Sequence, residues 1–226
     1  MRGKLDLRRK QSPVKDQGQR PTCLACAVTA GHEYIRGEER CLSVEYLHWA
    51  SVRRDGSSNQ GVSLDTTVRA LVEMGQPYDE MWPYQNWVDD ATLAYEPPTT
   101  ISPQDCFRVG WTFEIRSSIE DLKLHMGAGR AVVIGIRLFG AFHTTRDGRI
   151  PLPESRETAC GRHAVLLVGY DDCEESFIFK NSWGTTWGDV GYGWLPYSYV
   201  RDHTLGAHVF SNEYLGGADG QASVWQ

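Results

Sequence analysis

The feature that most limits what this chain can fold into is a change of hydrophobic rhythm at Glu96-Pro97-Pro98-Thr99-Thr100. Before the proline pair, apolar residues recur at helical spacing; after it, they gather in short continuous runs. Thr22 is expected to cap a helix whose buried stripe runs through Ala27, Val28, Gly31 and Ile35 and which stops at Gly37 in the C′ position. Ser43 to Trp49 and Ser63 to Met74 read as two more helices, the second stopped by Gly75. Beyond the prolines, Ala131 to Leu138, His163 to Tyr170 and Ser176 to Lys180 are apolar without alternation, as in strands covered on both faces. One amphipathic helix, Ser118 to Met126, precedes them, opened by Ser-Ile-Glu-Asp. A helical half beside a sheet half is an α+β pattern whose seam forms a cleft. The expected division is a helical lobe over about residues 12–112 and a β-rich lobe over about 113–215, with a loop-like, flexible tail at 216–226.

Charge and composition narrow the function. Twenty-three basic against 29 acidic residues leave a net charge of −6, so no global positive field favours nucleic acid or anionic lipid. No apolar run approaches the ~20 residues of a membrane span. The basic start MRGKLDLRRK is followed by no apolar stretch, so it reads as a solvated start rather than a secretory signal, and a cytoplasmic protein is expected. Six cysteines (Cys23, Cys26, Cys41, Cys106, Cys160, Cys173) are too few and too scattered for a disulfide scaffold, so reduced thiols are expected.

Cys23 stands out by position. It follows Pro21-Thr22 in the first turn of a helix, where unpaired backbone N–H groups and the helix dipole favour a thiolate. A helical cysteine is by itself more often a small buried hydrophobe, so other residues must decide. His163 opens the apolar strand HAVLLVGY 140 residues later, and Asn181 begins Asn181-Ser182-Trp183-Gly184, with Trp187-Gly188 three residues on. Ahead of the cysteine stands Pro13-Val14-Lys15-Asp16-Gln17-Gly18.

These blocks, in this order, resemble the papain-like cysteine peptidases. The likeness extends to Leu42-Ser43, Asn59-Gln60-Gly61, Trp82-Pro83-Tyr84 and Gly191-Tyr192-Gly193-Trp194-Leu195-Pro196-Tyr197, and thus from Asp6 to about Tyr197. Asp16-Gln17-Gly18 and Leu195-Pro196-Tyr197 look most like bacterial and archaeal members. The resemblance implies a two-lobed papain-like fold and a cysteine peptidase acting on protein or peptide without a cofactor or metal. In that scheme Cys23 is the nucleophile, His163 its base, Asn181 the group orienting the imidazole, and Gln17 an oxyanion donor beside the Cys23 N–H. Gly61 would let a substrate backbone approach closely, and Trp183 would shield the His163–Asn181 pair at the substrate side.

Several positions depart from the family pattern. Arg20 stands where the family often has a disulfide cysteine, Leu24 replaces the usual Trp after the nucleophile, and Arg162 replaces the Asn or Asp common before the histidine. Strand alternation turns Arg162 to the face opposite His163. The 18-residue step from His163 to Asn181 implies a longer hairpin through Asp171 to Ser176. Cys26 is expected to be a core packer, although Cys23-Leu24-Ala25-Cys26 has the spacing of a redox pair; a zinc site would need a second pair, for which only Cys160 with His163 offers itself. The other histidines, His143 and His208 among them, show no partner pattern. An inactive peptide-binding module, or a transglutaminase or deamidase using the same thioester, stands as the alternative. Only five residues precede Asp6, too short an arm to form an inhibitory domain, so control without a propeptide is expected. Oligomeric state is not written in the sequence.

Overall fold

The computed structural model describes residues 3–37, 40–55, 62–85 and 95–212. Gly61 and the expected tail, 216–226, lie outside the described residues. The chain opens with a short strand, β1 (Lys4–Asp6), then forms three helices, α1 (Cys23–Arg36), α2 (Val44–Asp55) and α3 (Leu64–Glu73). Beyond Glu96-Pro97-Pro98 come β2 (Trp111–Ile115), α4 (Ile119–Gly127), β3 (Ala131–Leu138) and α5 (Ala141–Thr144). The chain continues through β4 (Gly161–Asp171), β5 (Ser176–Lys180), β6 (Tyr192–Pro196), α6 (Tyr197–His203) and β7 (Thr204–Ser211). The strands form one antiparallel sheet in the order β2-β7-β3-β4-β5-β6, with β1 pairing β4 alongside.

The helices begin and end for local reasons. Ser63 accepts the Thr66 N–H at 3.0 Å to start α3, and Ser118 accepts the Asp121 N–H at 3.1 Å to start α4. Gly37, at φ 67°, receives α1 in the left-handed conformation and donates to Glu33 and Tyr34 carbonyls. The expected side-chain cap at Thr22 does not form: the Thr22 hydroxyl is instead bonded to the Tyr84 hydroxyl at 2.7 Å. Helix α2 runs six residues beyond the expected Trp49, and its last residues, Arg53, Arg54 and Asp55, are exposed and polar, which hides the apolar rhythm.

Burial explains the strand pattern. On β3, Ala131 and Val133 face a core shared with the helices, while Val132, Ile134 and Ile136 face a second core closed by α4 and α6. On β4, Ala164, Leu166 and Val168 join the first core and Val165 and Leu167 the second. With both faces dry, every position must be apolar, which gives the unbroken runs. The central helix α1 is buried over nine consecutive residues, Ala25 to Glu33, rather than along the expected single stripe, because α2, α3 and the sheet enclose it. At Gly31 the helix lies so close to the sheet that a Cβ would sit 2.6 Å from Phe210 Cζ.

Candidate active site

Cys23 is the first residue of α1, and its thiol meets the backbone N–H of Ala164, the residue after His163. The helix start and the strand start therefore bring together residues 140 positions apart. Burial pushes the Cys23 thiol up, while the backbone amides of Ala164, Leu24 and Cys23 itself favour its thiolate. His163 is buried on β4, and burial drives it down to about 4 against the opposing hydrogen bond it donates to Asn181. Burial thus disfavours charge on either group alone. Charge is therefore best accommodated on both groups together, by proton transfer from thiol to imidazole.

Asn181 follows β5 directly. Its Oδ1 accepts from His163 Nε2 at 2.7 Å and from the Ser182 N–H at 2.9 Å. Two donors on one oxygen fix the amide, and the amide fixes the ring: Nε2 carries the proton and Nδ1 keeps the lone pair. Trp183 covers the imidazole with ring centroids 4.8 Å apart.

Gln17 is joined to the same turn. Its N–H donates to the Ser182 carbonyl at 2.9 Å, and its side-chain Oε1 accepts the Ser182 hydroxyl at 2.7 Å. Gln17 Nε2 donates to the Arg20 carbonyl at 2.9 Å, and Tyr84 donates to the Gln17 carbonyl at 2.9 Å. Gly184 donates to the Lys15 carbonyl at 3.0 Å, continuing the join. Of the six residues expected at the site, Cys23, His163, Asn181, Gln17 and Trp183 are brought to this one place; Gly61 lies outside the described residues.

Arg20 is buried and forms an ion pair with buried Glu45 at 2.8 Å, with further bonds to the Gln85 carbonyl at 2.7 Å and the Tyr95 hydroxyl at 3.2 Å. Leu24 packs on the helical core. Cys26 is buried and its thiol is pushed up to about 12, so it behaves as a small core residue. Arg162 is exposed and pairs with Arg137 across β3, while His163 pairs with Ile136 on the other face, as strand alternation requires.

Sequence reasoning missed His143. It sits on α5 and stacks on Trp183 at 5.0 Å with ring planes 12° apart, on a segment with no readable motif. It also missed the brace behind the site, where Glu33 accepts from Lys15 at 2.8 Å and Lys180 donates to Ser12 Oγ at 2.9 Å. A charged Glu33 in the middle of an apolar helix was the available signal, since a buried carboxylate requires partners.

A cysteine at a helix start, a histidine held by an asparagine and a glutamine tied to the same turn, in an α+β frame, define the class of papain-like thiol hydrolase folds. The chain matches the papain family cysteine protease domain over residues 2–204 and belongs to that family. It is 28% identical over 205 residues to a peptidase C1-like protein of Acanthamoeba polyphaga mimivirus, covering 84% of this chain and 66% of that protein. It is 26% identical over 186 residues to a cathepsin L-like proteinase of Fasciola hepatica, covering 79% of this chain and 55% of the relative. The chain therefore spans about two thirds or less of these relatives' lengths. Among solved structures, xylellain, a cysteine protease from Xylella fastidiosa, superposes with a TM-score of 0.84 at 27% identity, over 93% of this chain and 86% of that one.

Proposed function

We propose that this protein hydrolyses peptide bonds through a thioester on Cys23, in a cleft between a helical lobe of about residues 12–112 and a β-rich lobe of about 113–215. His163 Nδ1, the nitrogen left open by the Asn181 bond, takes the thiol proton as sulfur attacks the peptide carbonyl. The negative oxygen that forms is met by the Cys23 N–H and by the Gln17 amide. The imidazolium then gives its proton to the leaving amine, and the C–N bond breaks to leave the acyl-enzyme. Water attacks the thioester, His163 accepts its proton and returns it to sulfur, and the carboxylic acid departs. Asn181 keeps the imidazole in one tautomer through both halves of the cycle.

The observation that carries this reading is the Asn181-Ser182 turn, which holds His163 through Asn181 and Gln17 through Ser182. The protease names of the relatives support hydrolysis over the acyltransferase alternative. Six free cysteines, and the Arg20–Glu45 pair where the family often has a disulfide, support a reducing, cytoplasmic setting. Among the described residues no helix is long and apolar enough to cross a membrane. An epoxysuccinyl peptide should label Cys23 alone, and Cys23→Ala should abolish hydrolysis. Full activity of Cys23→Ala, or efficient amine incorporation in place of hydrolysis, overturns the proposal.

A further inference from the structure

We propose that Arg137 and Arg162 form a cationic subsite beside Cys23 that selects peptides carrying an acidic side chain within two residues of the scissile bond. This deepens the peptidase reading and rests on it.

The position of the two arginines follows from sheet register. Arg137 and Arg162 are direct cross-strand partners, one pleat beyond the Gly135–Ala164 pair and two beyond Val133–Leu166. All lie on the sheet face that α1 crosses. The helix touches this face at Gly31, against Phe210 and Ala131, and reaches Ala164 with the Cys23 thiol. The eight helical steps from Gly31 back to Cys23 rise about 12 Å, and the four strand steps from Ala131 to Gly135 span about 13 Å. The helix therefore ends at the Gly135–Ala164 row, and the arginine row lies about 7 Å past the sulfur, uncovered. An extended peptide advances about 3.3–3.6 Å per residue, so that row is two residues' reach from the reacting carbonyl.

Both arginines are exposed, and neither forms an ion pair within the described residues. Like charges directly opposite one another on a sheet are unfavourable. Elsewhere in this chain of net charge −6 the buried Arg20 is met by a carboxylate, Glu45. The Arg137–Arg162 pair is left for an anion from outside, and two guanidinium forks side by side match a carboxylate. There is also room. A Cβ added at Gly135 would meet only the Gly206 carbonyl oxygen, at 4.0 Å, and one at Gly206 would meet nothing within 4 Å. Gly206 is the cross-strand partner of Gly135, so the two glycines leave a bare floor next to the arginines.

The test has two arms. In the first, peptides carry Glu or Gln at each of the two positions on either side of the scissile bond. The wild type should favour Glu by at least fivefold in kcat/KM at one position at low salt, and the preference should shrink as salt rises. It should fall below twofold in the Arg137→Gln, Arg162→Gln double variant and reverse in Arg162→Glu, while Arg69→Gln, a surface arginine paired with Asp65, should leave it in place. In the second arm, Cys23 is alkylated with iodoacetate and with iodoacetamide, and the modified residue is confirmed by mass spectrometry. The iodoacetate-to-iodoacetamide rate ratio should drop at least threefold in the double variant. An absent Glu preference at all four positions, or an alkylation ratio unmoved by the double variant, shows the arginines to be solvated charges only and overturns the proposal. Failure to cleave any peptide sinks the peptidase reading, and the alkylation ratio still reports on the arginines.

Discussion

The Ser182 hydroxyl donates to Gln17 Oε1 at 2.7 Å, one residue after the asparagine that holds His163 at the same distance. One turn thereby sets the orientation of both the His163 imidazole and the Gln17 side-chain amide, although Gln17 and Ser182 are 165 residues apart. Gln17→Ala should lower kcat by about 10²-fold, in the range seen for loss of one oxyanion donor. Ser182→Ala should lower kcat less, because Arg20 O still holds Gln17 Nε2, and the double variant should lose no more than Gln17→Ala alone. Steady-state kinetics on the four-member cycle checks this; additive losses would separate the two residues.

Burial holds His163 down to about 4, against an ordinary value of 6.5. Between those values the unfolded chain binds a proton that the folded one does not, so stability rises with pH through this window and is lost as pH falls. The difference corresponds to about 3 kcal/mol. Urea unfolding at pH 7 and pH 4.5 should show a larger acid loss for the wild type than for His163→Gln; equal losses would remove His163 from the acid sensitivity.

The Arg20–Glu45 ion pair is buried at both ends, with side-chain exposures of 7% and 1%. Removing one partner strands the other charge. Arg20→Ala should cost about 3–5 kcal/mol, and Arg20→Ala with Glu45→Ala should cost less than the single variant. Because the site is joined by an ion pair rather than a disulfide, the wild type should keep its melting temperature in excess reductant. Thermal unfolding with and without dithiothreitol measures both.

Val190 adopts φ 53° while 61% exposed, a conformation that a β-branched side chain strongly disfavours. Val190→Gly relieves the strain and adds some unfolded-state entropy, for a net gain of about 0.5–1 kcal/mol. A rise in denaturation midpoint with unchanged m-value is the expected result; destabilisation would mean that Val190 makes contacts worth more than its strain.

Much of this protein is determined by short stretches of sequence acting locally. Ser63 and Ser118 start their helices and Gly37 ends one by bonds made within a turn, and the runs at Ala131 and Ser176 become strands with the expected ends. Cys23, His163, Asn181 and Gln17 were legible because each sits in a short block whose order along the chain is distinctive. Tertiary structure decided what depends on partners far away. Strands β2 and β7 escaped notice because Glu114, Gly206 and His208 break their apolar rhythm, and they exist as strands because they pair with each other and with β3. His143 reaches the site only because α5 lays it on Trp183, 40 residues later. The opposition of Arg137 and Arg162 was equally hidden, since alternation tells which face a side chain takes but only the pairing register tells what stands across from it.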